Sequence, residues 1–219
     1  PLPIALKIAT DFLAGLHAAH TLKDSRGKLL SVVHRDVSPM NILVGSDGVS
    51  RLTDFGIARA STRLTQTREG QLKGKLAYMP PEQLSNAELD ARADIYSAGV
   101  VLWEMLTATR LFPKANEGAM VRAVLAGINT PPSSVPGTSA HFDEVCMTAV
   151  AADRKARYAT AQEFGDALTQ AARQNAIEIA TASEVAVFVS DLDIRSGIDP
   201  RALLTLATNV ESRDTDDKA

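Results

Sequence analysis

A predominantly helical domain carrying one small β-ribbon is what these 219 residues predict. Three observations carry that expectation. Apolar residues recur at helical spacing along much of the chain, as in Ile4, Ile8, Phe12, Leu13 and Leu16 near its start. One stretch, 94–106 (DIYSAGVVLWEML), is apolar nearly all round, which places a helix in the middle of a domain. A strand–turn–strand pattern occupies 41–53: a short apolar run (41–44), a Gly-Ser-Asp-Gly turn (45–48) and a second short run (49–53).

In chain order, 1–21 reads as a helix whose first turn suits Pro1 and Pro3. His17 and His20 near its end are read as packing or helix-end charges rather than metal ligands, because no further ligand lies nearby in sequence. Residues 23–28 (KDSRGK) form a polar excursion, and 30–33 are predicted to be a short strand. After the ribbon, 57–79 is rich in Thr, Arg, Lys and Gln without periodicity and is expected to be a mobile loop. A helix over 117–125 ends at Gly127 and a Pro/Ser loop (131–137). Two more helices follow over 140–151 and 160–173, with apolar faces at Phe142, Val145, Met147 and Val150, then Phe164, Leu168 and Ala171. An apolar segment (185–192) starts after Ser183-Glu184, and Asp199-Pro200 opens a last short helix. The charged end, 211–219, lacks large apolar residues and is expected to be disordered. The organisation read from this is one main domain (1–172), a helical extension (173–210) and an acidic tail (211–219).

Composition excludes several classes. With 45% hydrophobic and 22% charged residues the chain is ordinary for a globular domain, and a net charge of −3 gives no basic footprint for nucleic acid. No apolar run is expected to reach the length of a membrane span; the longest lies near 98–103 and ends at Glu104. A single cysteine, Cys146, precludes an internal disulfide framework, fits a reducing, cytoplasmic compartment and is read as a buried packing residue. Trp103 is likewise read as core. Pro1 rather than Met stands first, so a piece of a longer product is expected.

The chemistry concentrates in 33–56, VHRDVSPMNILVGSDGVSRLTDFG. Asp36 is followed five residues later by Asn41, and thirteen beyond that by Asp54. A short ribbon between Asn41 and Asp54 would gather all three at one end. Two carboxylates and an amide oxygen are hard ligands suited to Mg²⁺ carrying phosphates.

The set His34-Arg35-Asp36, Asn41 and Asp54-Phe55-Gly56 resembles the catalytic and metal loops of protein kinases, H-R-D-x-x-x-x-N followed by D-F-G. The resemblance implies ATP and Mg²⁺ as cofactors and a protein hydroxyl as acceptor. It implies that Asp36 accepts or orients the acceptor proton, that Asn41 holds one Mg²⁺, and that Asp54 bridges metal and phosphates. Leu43 would pack under the adenine, and His34 and Phe55 would form a spine on the helix begun by Asp94. Asp94 would anchor the catalytic-loop backbone. Tyr78-Met79-Pro80-Pro81-Glu82 resembles the family's Y-M-A-P-E, with Pro80 for Ala, and Glu82 would pair with Arg157. Arg35 would receive a phosphate placed on the following loop, with Thr62, Thr65 and Thr67 as acceptors and Thr65 or Thr67 favoured.

Two departures occur together. Ser38 stands where Ser/Thr kinases usually carry a phosphate-contacting Lys, and Lys75 stands where they carry a Thr bonded to that Lys. Lys75 is therefore expected to supply the missing ammonium. Ser38-Pro39 resembles bacterial Ser/Thr kinases more than tyrosine kinases. The resemblance covers 1–172 and the large lobe alone: the chain has no G-x-G-x-x-G, no V-A-I-K lysine and no helix bearing its Glu partner. Half the ATP cleft would have to come from the missing small lobe, so this chain alone is expected to be inactive. An exposed apolar edge is expected at Leu2, Ile4 and Phe55. A non-catalytic kinase-like interaction module is the alternative. A small-molecule phosphotransferase would share the Asp36-to-Asn41 spacing without the D-F-G, P-P-E and Arg157 set.

Overall fold

The computed structural model describes residues 1–55, 75–112 and 116–196, with the backbone alone for 193–196. Helix α1 (Leu2–His20) opens the chain, and its stripe of Leu6, Ala9, Phe12, Leu13 and Leu16 is buried to 1% exposure or less. By length and composition alone α1 would be long and apolar enough to cross a membrane, although Lys7 and Asp11 interrupt its apolar residues. Its apolar stripe is instead occupied by this protein's own core, against α6 (Ala161–Gln174), α3 (Ala91–Thr107) and the ribbon. Each Leu or Phe buried this way contributes roughly 1.5–3 kcal/mol.

Helix α3 is the centre of the molecule. Every residue from Ala93 to Trp103 is buried, so no face of the helix needs polar side chains. Asp90 caps its start by accepting from the Arg92 amide, and Ala108 ends it in the left-handed region (φ 52). Trp103 lies in the core and donates its indole N–H to the Thr130 carbonyl at 2.9 Å. Helix α5 (Asp143–Ala149) crosses α3 closely: a Cβ on Gly99 would lie 2.7 Å from the Ala149 Cβ and 2.8 Å from the Val150 Cγ1. The short α2 (Pro81–Leu84) and α4 (Glu117–Ala126) complete this side. Helix α6 starts at Thr160, whose hydroxyl accepts from the Glu163 amide, and turns Phe164, Leu168 and Ala172 inward.

The ribbon is a two-stranded antiparallel sheet, β1 (Ile42–Val44) and β2 (Ser50–Leu52), in the register Ile42–Leu52, Leu43–Arg51, Val44–Ser50. It is shorter than the sequence pattern by a residue or two at the ends. Last among the described elements comes α7 (Ala182–Ser196), which packs on the start of α1.

Three expectations need correction. Residues 30–33 are not a strand. The chain instead makes one antiparallel bridge between Lys23 and Leu29 around a turn fixed by Asp24, which accepts from the Arg26 and Lys28 amides. Leu29 and Leu30 stay half exposed, so there is no apolar face for a strand to bury. Residues 140–151 are not one helix: a 3₁₀ turn at Ala140–Phe142 leads into α5. Ile4 is not an exposed edge; it is 8% exposed and packs with Ala180 and Val185 of the C-terminal segment, while Leu2 and Phe55 are partly buried.

Candidate active site

The site is built at the end of the ribbon opposite its turn. Asn41 stands immediately before β1, and its carbonyl accepts the Thr53 amide at 2.9 Å, which holds Asp54 beside the base of β1. The Asn41 side-chain amide donates to the Asp36 carbonyl at 2.7 Å. Two hydrogen bonds therefore tie together the loop bearing Asp36, Asn41 itself and the segment bearing Asp54. With its NH₂ committed to that carbonyl, Asn41 has its amide oxygen left for a cation. Asp54 is exposed and in the left-handed region (φ 57), a conformation uncommon outside glycine.

The loop is clamped from beneath by Asp94, in the first turn of α3. One carboxylate oxygen accepts the Arg35 amide at 2.7 Å; the other accepts the His34 amide at 2.7 Å and lies 2.8 Å from His20 Nε2. Arg35, at φ 67, takes a left-handed conformation that delivers both amides to one carboxylate. His34 is fully buried, and its Nε2 can only donate to the Thr53 carbonyl (3.0 Å), which leaves Nδ1 to accept the Asp36 amide (3.3 Å). Its ring meets Phe55 at 4.4 Å between centroids. His34 thus links Asp36 to the Asp54 segment, as packing and as a hydrogen-bonded bridge.

Lys75 Nζ lies 2.5 Å from Asp36 Oδ2, with the two side chains 28% and 14% exposed. Ser38, by contrast, is 2% exposed, and its hydroxyl has no partner among the described residues. The cation at this site comes from Lys75, across 39 residues of sequence, and the position two after Asp36 is turned into the protein.

Glu82 and Arg157 form a bidentate pair at 2.6 and 2.9 Å. Arg157 also donates to the carbonyls of Ala151 (2.7 Å), Arg92 (2.9 Å) and Ala152 (3.3 Å), and lies 4.9 Å above the Tyr96 ring. The base of the loop leading from Lys75 is held further by Tyr78. Its hydroxyl donates to Glu104 Oε2 at 2.8 Å and contacts Arg110, and its carbonyl accepts from Ser97. Burial, then the Glu104 carboxylate, push the Tyr78 phenol well above its usual range.

Leu43 is 55% exposed on the ribbon and Met40 83% exposed beside it, giving an open apolar surface next to the three oxygen-bearing residues. Arg35 presents its side chain to solvent while its carbonyl accepts from Gln83 (3.2 Å). Gly56, Thr62, Thr65 and Thr67 lie outside the described residues. Sequence reasoning missed His20, Thr53 and Gln83. Thr53 directly precedes Asp54, a signal that could have found it; His20 and Gln83 carry none, because they reach residues 74 and 48 positions away. Among the described residues no group of three or more His, Cys, Asp or Glu is poised for a metal. The set here contains two carboxylates and an amide, and those hard oxygens fit Mg²⁺.

Comparison with known proteins agrees with this geometry. The protein kinase domain family matches residues 4–170. The chain is 43% identical over 169 residues to the tyrosine-protein kinase MasK of Myxococcus xanthus, covering 77% of this chain and 26% of that protein. It is 41% identical over 138 residues to the probable serine/threonine-protein kinase PknB of Bifidobacterium longum (62% and 20%). With the serine/threonine-protein kinase PknH of Mycobacterium tuberculosis it shares 38% over 170 residues (77% and 26%). The chain thus spans about a quarter of the length of these relatives. Among solved structures, the Mycobacterium tuberculosis PknI kinase domain superposes with a TM-score of 0.55 at 24% identity, over 78% of this chain and 55% of that one. A match over residues 4–170 that includes the ribbon, the clamped loop and the Glu82–Arg157 pair leaves one conclusion: the chain belongs to the protein kinase family.

Proposed function

We propose that this chain is the large lobe of an ATP- and Mg²⁺-dependent protein kinase that phosphorylates serine or threonine on other proteins. The observation that carries the reading is the pair of hydrogen bonds joining Asp36, Asn41 and the Thr53–Asp54 segment over the Asp94 clamp. Asn41 and Asp54 would hold Mg²⁺, which when bound neutralises the nucleotide phosphates and orients them for in-line transfer. Asp36 receives the acceptor proton. Lys75, already at Asp36, would offer its ammonium to the transferred phosphate and steady the charge that develops there. Leu43 offers the apolar floor for the adenine. The adenine's roof would come from a small lobe outside these residues, so the chain alone is expected to turn over little ATP. The lone Cys146 supports work in a reducing, cytoplasmic setting.

The test uses the protein with its covering lobe, labelled γ-phosphate ATP and a mixed protein substrate, followed by phosphoamino-acid analysis. Phosphoserine and phosphothreonine are expected. Asp36→Asn should abolish transfer, and Lys75→Ala should cost about 10²–10³ in kcat, the usual loss for one charge-stabilising donor. A Lys75→Ala enzyme with near-normal turnover would reject that residue's role. A protein that binds no Mg·ATP would reject the enzyme reading and favour a non-catalytic interaction module. Tyrosine as acceptor is the second reading, supported by the name of the Myxococcus relative. Phosphotyrosine alone in the hydrolysate would select it.

A further inference from the structure

Helix α7 lies outside the region matched by the protein kinase domain family, yet it is seated on the ribbon that carries the site. Gly48, in the ribbon turn, sits at φ 74 against the first turn of α7. A Cβ there would come 1.8 Å from the Ala182 carbonyl oxygen and 2.9 Å from the Ala186 amide nitrogen. Val44 at the turn end of β1 packs with Ile8, Phe188 and Val189 on a small second core of Ile4, Ala180 and Val185, the last fully buried. The Ala180 amide donates to the Pro3 carbonyl. The start of α7 is fixed by a capping box: Glu184 Oε2 accepts from the amide (2.7 Å) and hydroxyl (2.9 Å) of Thr181, whose hydroxyl in turn accepts the Glu184 amide (3.3 Å).

A lone two-stranded hairpin is marginal in water and needs packing to hold one register. From α1 the ribbon receives a polar tie, the Ser50 amide donating to Asp11 (3.1 Å), while Ile42 and Leu52 pack on the main core at the end away from the turn. The turn end rests on α7. We propose that α7 is a positioning element for the metal end of the ribbon, with Gly48 as the positioning residue through which it acts. Seating α7 fixes the turn; a fixed turn fixes the register of three residue pairs; that register sets Asn41 against Thr53 and Asp54. The claim rests on the nucleotide reading above for its functional half.

The test compares Gly48→Asn, which tolerates positive φ but inserts a side chain, with Val185→Asp, which unseats α7, and with both together. Glu184→Ala is a milder exposed variant that removes the acceptor of the cap and keeps the core intact. Hydrogen exchange reads the Gly45 and Thr53 amides for the ribbon, Ala180 for α7 seating and Leu102 for the global core. Mn²⁺·ADP affinity is read on the protein with its covering lobe. Unseating α7 should speed exchange at Gly45 and Thr53 with Leu102 unchanged. Mn²⁺·ADP affinity should fall roughly 10-fold, as when outer partners of metal ligands are lost. The double variant should be no worse than Val185→Asp. Exchange at Gly45 and Thr53 that stays slow once Ala180 is exposed overturns the proposal. Absence of Mn²⁺·ADP binding in the unaltered protein instead overturns the nucleotide reading, and the exchange arm alone then decides whether α7 steadies the ribbon.

Discussion

Glu82→Gln removes one charge and almost no volume, so it isolates what the pair with Arg157 does. The Arg157 side chain has no solvent exposure, and that of Glu82 has 12%. After substitution the guanidinium keeps three backbone carbonyls and the Tyr96 face but has no salt-bridge partner among the described residues. Stranding one member of a buried pair costs about 3–5 kcal/mol, and the remaining acceptors place this case near 3. For a chain of this size each kcal/mol shifts the melting temperature by about 2–4 °C, so a drop of about 6–12 °C is expected. Thermal unfolding followed by circular dichroism, with urea titration as a second measure, reads it. Glu82→Leu combined with Arg157→Met should lose less than the two single changes summed, because neither charge is left behind. A Glu82→Gln midpoint equal to the parent's would show that the guanidinium is satisfied by carbonyls alone and refute the reasoning.

Gly99→Ala should destabilise although alanine favours helix by about 1 kcal/mol, since overpacking against Ala149 and Val150 costs about 1–3 kcal/mol; a raised urea midpoint would contradict it. Burial pushes the Cys146 thiol far up, so a thiol reagent should label it at the rate of unfolding, and labelling within the mixing time in native buffer would refute that. Hydrogen bonds from Thr181 hold the Glu184 carboxyl below its ordinary 4.5. Its contribution to seating α7 is therefore complete above that pH and is lost as the pH falls through the lower folded value. Exchange at the α7 amides should accelerate in acid before that of α3; simultaneous loss would refute it.

Helices α1 and α6 were legible because each has an apolar stripe of the right period, and α3 because it has no polar side at all; α2, four residues with none buried, carries no such signal. The residues of the site were legible through spacing: Asp36, Asn41 and Asp54 lie close in sequence, and one turn joins them. Contacts set by the tertiary fold were not. Ile4 reads as an edge until Ala180 and Val185 cover it, and Leu30 reads as strand although it is half exposed and its pairing stops at one bond from its amide to the Leu22 carbonyl. His20 gives no hint in sequence of Asp94, 74 residues away. Lys75 stands out in the sequence only by its place between Gly74 and Tyr78, and the structure puts its ammonium at Asp36. Nothing in the letters around Gly48 signals α7, because the need for a missing side chain arises only when Ala182 arrives.

Asp94 reaches the 34–36 loop from a helix that is buried without a break from Ala93 to Trp103. A small slide or rotation of that buried rod would move two main-chain amides at once, and with them Asp36, the carboxylate proposed to meet the acceptor. Substitutions deep in the interior, several turns from the chemistry, should therefore register as lost turnover before they register as lost fold. In such a molecule, mapping which interior changes slow the reaction without lowering the melting point would trace how rigidity is handed from the centre to the surface.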